Sequence, residues 1–232
     1  MEKLVHWAEV LAKLQKEGHQ IHLGGYVALF MTGCNHFGRW NMDSYTRIYH
    51  YSPFLEPDWF KDWKINNPNI NFIISDYTHF CVPFSQDYLR TTNITFKDEL
   101  ETKEIIVKCS HFELAMLEMI QGQPLEWMYE EEREMMENPF RVEDKRVQNL
   151  LESWTNPLTK RIFLYLAREG EVDWYHRLDR SRIDLGEGDM IATPEGEYPM
   201  GQYDEEYKLT ITPLDEFELI RRGTIDEFCQ LT

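Results

Sequence analysis

A chain of 232 residues with 42% hydrophobic and 14% aromatic side chains has the length and apolar content to bury a sizeable core, which excludes a disordered tail. Its 24 Lys and Arg against 41 Asp and Glu leave a formal net charge of -17, so most of the surface repels a nucleic-acid duplex and DNA binding by this chain alone is disfavoured. The sequence has no apolar run of about 18 residues, and Glu2, Lys3, His6 and Glu9 interrupt its start, so neither a membrane span nor a signal peptide is predicted and a cytoplasmic location is expected.

In chain order, Leu4, Trp7, Ala8, Leu11 and Leu14 recur at spacings of three and four and predict an opening helix that Gly18 can end in the left-handed conformation. "QIHL" then reads as a short strand. Gly24 and Gly25 make a sharp turn with bare backbone N–H groups, and Val27 to Phe30 start a helix that Gly33 can stop. Strands follow over Thr46–Tyr51, Ile70–Ser75, Asn93–Phe96 and Glu104–Cys109, with one or two helical turns from Pro57 as first helical residue between the first two. A mixed sheet is implied.

From residue 110 the period changes. Ser110 and Glu113 have capping-box spacing, and a helix is expected over about 111–121. A strongly acidic helix over 125–137 reads as a solvated face. "VQNLLESW" and "NPLTKRIFLYLARE" predict two more helices, the second capped by Asn156 with Pro157 as its first residue. A turn at Gly186–Gly188, a strand over Met190–Thr193 and a strand in "YKLTI" close the body.

The expected fold is thus α/β (α+β), a mixed sheet with a strand-GlyGly-helix unit plus a helical second half. It is read as a single domain over 1–232, with a mixed α/β region over 1–109, a helical region over 110–185, closing strands over 186–213 and a helical tail over 214–232. Charge is uneven along it: residues 1–120 carry 11 basic and 15 acidic side chains, and residues 121–232 carry 13 and 26. An acidic face of this kind can dock on a basic partner.

The chemistry is sparse. The four cysteines, Cys34, Cys81, Cys109 and Cys229, lie far apart without a C-x-x-C, and are read as reduced, buried thiols with no structural zinc. No metal or cofactor is predicted. A strand-GlyGly-helix turn can cradle a triphosphate when carboxylates on the next strand hold magnesium. Here the next strand is Thr46-Arg47-Ile48-Tyr49-His50-Tyr51, which carries no carboxylate. Gly24, Gly25 and Tyr26 remain a candidate anion- or nucleotide-binding turn. His22, His36 and Asp43 lie near it in sequence and read as hydrogen-bonded structural groups. No P-loop and no G-x-S-x-G is present, and no catalytic residue is assigned.

Two stretches carry a resemblance. "WAEVLAKLQKEGHQIHLGGYVALFMTGCNH" and "VQNLLESWTNPLTKRIFLYLAREGEVDWYHRLDRSRIDLGEG" together resemble the AbiEi family of antitoxins from abortive-infection toxin-antitoxin systems, and "EYKLTITP" is similar to that family's closing strand. The likeness covers Gly24, Gly25, Ala28, Leu29 and Gly33; Ser110 and Ala115; Leu150, Leu151 and Glu152; Lys160, Arg161, Leu164 and Leu166; and Asp184, Leu185, Gly186 and Gly188. Departures from the family pattern are Asp189 and Met190 where Lys-Arg is usual, and Leu114 where Arg is usual. The resemblance implies a bacterial, non-enzymatic antitoxin or transcriptional regulator for phage defence. Its toxin partner would be a nucleotidyltransferase, opposed without a stable complex, and its glycine turn would come from a degenerate nucleotidyltransferase type of fold. It also implies the antitoxin half without the winged-helix repressor half. Two alternatives stay open: a nucleotide-binding or phosphotransfer enzyme using the Gly24-Gly25 turn, and an interaction module for a separately encoded DNA-binding repressor.

Overall fold

The computed structural model describes residues 6–31, 45–50, 54–68, 71–76, 86–97, 102–122, 142–192 and 201–211. The architecture is α/β with mixed sheets. Its contacts divide the chain into two compact units, Met1–Gly122 with Lys145–Thr155, and Gln123–Asp144 with Asn156–Thr232.

The first unit opens with α1 (Trp7–Lys16), whose buried Trp7, Ala8, Val10, Leu11 and Leu14 form the expected stripe. The His6 ring accepts from the Ala8 N–H, and Glu9 reaches back to the His6 N–H. At the other end the Gly18 N–H bonds to the Gln15 carbonyl and the His19 N–H to the Leu14 carbonyl. That Schellman pair needs a left-handed residue after the helix, and Gly18 has φ +92°. A five-stranded sheet follows, built from β1 (Ile21–Leu23), β2 (Tyr45–His50), β3 (Asn71–Asp76), β4 (Leu89–Lys97) and β5 (Thr102–Ser110), in the order β3-β2-β1-β5-β4.

Only three residues long, β1 is buried throughout, as a central strand covered on both faces must be. It pairs antiparallel with β2 and parallel with β5. α2 (Gly25–Met31) leaves β1 directly, and α3 (Asp58–Asn66) connects the parallel strands β2 and β3. α4 (Phe112–Gly122) packs against α2. It is buried from Phe112 to Ile120, Glu113 and Glu118 included. α5 (Asp144–Ser153) supplies buried Val147, Leu150 and Leu151.

The second unit is built on α6 (Pro157–Glu169). Its Asn156 side chain accepts from the Leu158 and Thr159 N–H groups, and Pro157 takes the first turn, where its missing N–H costs nothing. Short 3-10 turns over Asp173–Arg177 and Arg180–Arg182 lead to a second sheet. Its strands β6 (Met190–Ala192), β7 (Gln202–Asp204) and β8 (Leu209–Ile211) are ordered β6-β8-β7.

Several expectations change in detail. Pro57 is the N-cap of α3 rather than its first helical residue. Ser110 is the last residue of β5, so no Ser110–Glu113 capping box forms: the Ser110 hydroxyl bonds to Glu118, and Glu113 accepts from Arg146 at 3.0 and 3.1 Å. The alternative partners are buried Glu118 and half-buried Arg146, farther along the chain and invisible to a local rule. β7, which the sequence does not predict, pairs with β8 across a turn in which Asp204 accepts the Tyr207 N–H at 2.8 Å. The acidic helix expected over 125–137, the tail over 214–232, and Cys34, Cys81, Cys229, His36, Asp43 and Gly33 lie outside the described residues.

Candidate functional site

The glycine turn is positioned by strand register. Leu23 pairs with Cys109, which sets Ser110 beside Gly24, and His22 pairs with Tyr49 on the other side. The His22 and Tyr49 rings stack with centroids 5.8 Å apart. Into this corner α4 projects Glu118, whose side chain is fully buried.

Its two carboxylate oxygens collect donors from three elements. Oε2 accepts the Gly25 N–H at 2.6 Å and the Ser110 hydroxyl at 2.8 Å. Oε1 lies 2.9 Å from the same hydroxyl and 2.8 Å from His22 Nε2. The Tyr49 hydroxyl donates to the Glu118 backbone carbonyl at 3.1 Å. Burying a carboxylate is costly unless its oxygens are hydrogen-bonded, and here both are.

The turn is therefore not bare: the Gly25 amide already holds an anion, supplied by the chain itself. Both glycines are required for this. Gly25 has φ +54°, which side chains disfavour. A Cβ on Gly24 would stand 2.2 Å from Glu118 Oε2 and 2.4 Å from the Tyr49 ring, so nothing larger than hydrogen fits. His22 does join the turn, as a hydrogen-bonded group. Ala28 and Leu29 are buried core residues of α2. Tyr26, the second residue of α2, is half-buried, and Gly25, His22, Ser110 and Tyr49 are among the groups that meet Glu118 at the turn.

Lys160, Arg161, Asp184, Gly186 and Gly188 fall in the second unit, where Arg161 is 1% exposed. Its guanidinium donates to four backbone carbonyls: Leu185 at 2.9 Å, Gly186 at 3.1 Å, Gly188 at 2.7 Å and Lys208 at 2.9 Å. Asp184 accepts the Gly186 N–H at 2.8 Å and starts the turn. Gly186 has φ +68°, and a Cβ there would lie 2.9 Å from Pro157. Lys208, a non-glycine residue at φ +48°, turns its carbonyl to Arg161 and to the Met190 N–H. Lys160, adjacent to Arg161 in sequence, is buried as well. A planar cation with five donors suits such a set of fixed carbonyls, and engaged in this way it is not presented to an outside phosphate.

Nearby, Arg168 bridges Asp204 and Glu206, and Arg180 pairs with Glu206. Burial pushes the Asp204 carboxyl up, but the Arg168 hydrogen bond and charge together with the Tyr207 and Glu206 backbone amides outweigh it and hold the group below the usual range. Burial pushes the Tyr207 hydroxyl well above its ordinary value. In the first unit, burial raises the Cys109 thiol to about 11, so it is a poor nucleophile. Among the described residues no group of three or more His, Cys, Asp or Glu could hold a metal ion, and no helix is long and apolar enough to cross a membrane.

Sequence reasoning missed Glu118 and Tyr49. The available signal was the carboxylate within "LAMLEMI", since a charge inside an apolar run of a helix needs an internal partner.

The fold is similar to that in the crystal structure of the RV2827C protein from Mycobacterium tuberculosis, with a TM-score of 0.59 at 11% identity, covering 92% of this chain and 70% of that one. No curated protein matches the sequence. The family model described as "Transcriptional regulator, AbiEi antitoxin, Type IV TA system" matches residues 48–212, which run from β2 to just past β8 and include Tyr49, Glu118 and the whole Arg161 cluster. That span is well over half of the chain: the protein belongs to the AbiEi antitoxin family of type IV toxin-antitoxin systems.

Proposed function

We propose that this protein is a non-enzymatic antitoxin that opposes a nucleotidyltransferase toxin of an abortive-infection system. It acts in the cytoplasm in phage defence and forms no stable complex with the toxin. The family match over residues 48–212 carries this reading, and it spans segments of both compact units, which together make up the antitoxin domain.

Two observations support the absence of catalysis. The Gly25 amide of the glycine turn is bonded to Glu118 rather than exposed to a nucleotide. The strand that would carry magnesium ligands, Tyr45-Thr46-Arg47-Ile48-Tyr49-His50, has no carboxylate. Residual DNA binding through Lys160-Arg161 is disfavoured too, because the guanidinium is engaged by four carbonyls.

Growth rescue tests the proposal. The candidate nucleotidyltransferase from the same locus is induced with and without this protein, and surviving cells are counted. Rescue at wild-type expression is the expected result. An active toxin that remains lethal in the presence of folded protein overturns the antitoxin reading.

A further inference from the structure

The Glu118 side chain is held as a bound ligand would be. It reaches its corner from α4, 93 residues along the chain from Gly25. There it meets a backbone amide at 2.6 Å, a hydroxyl at 2.8 and 2.9 Å, and an imidazole nitrogen at 2.8 Å. The side chains of Ser110 and His22 that supply two of these contacts belong to residues with no exposed surface at all. Gly24 is held at hydrogen size by the carboxylate itself. Convergent donors from different elements, closed off from water, are the donor set that recognises a carboxylate or a phosphate oxygen pair.

We propose that this corner is an oxyanion site of the carboxylate or phosphate class whose resident ligand is intramolecular, the Glu118 carboxylate. In the native chain the site is filled, so free phosphate is excluded. With the carboxylate removed, the donors remain and a small oxyanion takes its place. The proposal does not depend on the antitoxin reading and can fail or stand separately from it.

The test is chemical rescue of Glu118→Ala. Truncation takes away the carboxylate and leaves space for formate, which has the same two oxygens on one carbon. Thermal unfolding of the full chain is followed in sodium formate and in sodium chloride at equal ionic strength. The variant in chloride is expected to melt roughly 10 °C below wild type. Formate is expected to raise the variant by several degrees more than it raises wild type, since a ligand of the native state stabilises it. If the variant does not fold in chloride, recovery of its near-ultraviolet circular dichroism in formate is the same readout. Absence of any formate-specific gain, whether the variant is folded or not, overturns the proposal. Wild type provides a second measurement that needs no variant: inorganic phosphate at millimolar concentration should leave its melting temperature unchanged relative to chloride. A phosphate-specific rise that disappears in Gly25→Ala would also overturn it.

Discussion

The two compact units each contain a glycine turn held by one buried ion, and the ions are opposite in sign. In the first, the Glu118 carboxylate gathers donors, among them the Gly25 amide. In the second, the Arg161 guanidinium gathers acceptors, the carbonyls of Leu185, Gly186, Gly188 and Lys208. A sharp turn points backbone groups of one polarity into one small volume, and those groups cost free energy if they are buried without partners. The chain answers amides with an acid and carbonyls with a base. Glycine-rich signatures that look like ligand cradles are here completed from within.

Breaking the second turn should have the largest effect. Arg161→Met keeps much of the length of the side chain and removes every donor, taking the guanidinium away from four carbonyls, of which Lys208 keeps the Met190 N–H. A loss of about 4 kcal/mol is expected, measured as a shift of the urea midpoint, and Arg161→Lys should recover only part because an ammonium cannot reach four fixed acceptors. Gly24→Ala is the matching test in the first unit. With a Cβ 2.2 Å from Glu118 and 2.4 Å from the Tyr49 ring, overpacking of about 3 kcal/mol is expected. If Gly24→Ala is neutral, the close packing of that corner is wrong.

The difference between the units sharpens with pH. Cys109 lies next to Ser110 at the end of β5, and its thiol is raised to about 11 by burial. Unfolded, the thiol ionises near its ordinary value, so between about pH 9 and 11 the unfolded state binds fewer protons than the folded one and stability falls as pH rises. The expected loss from this thiol is on the order of 2 kcal/mol, and Cys109→Ala should remove that part of the slope, leaving the part that Tyr207, also raised by burial, adds at the alkaline end. Iodoacetamide should label Cys109 at pH 8 only as fast as the protein unfolds. The smallest effect is expected at Asn156→Ala, which deprives the Leu158 and Thr159 amides of their cap at a cost of about 1 kcal/mol. It should act on the second unit and leave the formate response of Glu118→Ala unchanged.

What was legible in the sequence follows from the range of each interaction. The stripe of α1, the left-handed Gly18 and the Asn156-Pro157 start of α6 are set by residues within a few turns of each other along one helix, and each is recoverable from spacing alone. β7 was not, because Gln202-Tyr203-Asp204 is too short and too polar to show a period, and is a strand only because β8 lies beside it. Ser110 misled for a related reason. Its spacing to Glu113 satisfies a local rule, while its hydroxyl is claimed by Glu118 in the folded chain. Gly24 and Gly25 stand out in the sequence as a sharp turn, but the partner that fills it sits 93 residues away from Gly25, beyond any window of local pattern.

The most direct test of a turn completed from within is the amide NMR spectrum of the wild-type chain titrated with ATP, CTP and GTP in the presence of magnesium. The Gly25 amide is expected to stay unmoved at millimolar nucleotide, because its proton is already bonded to Glu118. A saturable shift of Gly25 and Ser110 below a millimolar would refute internal completion, and would return the glycine turn to the nucleotide-binding class.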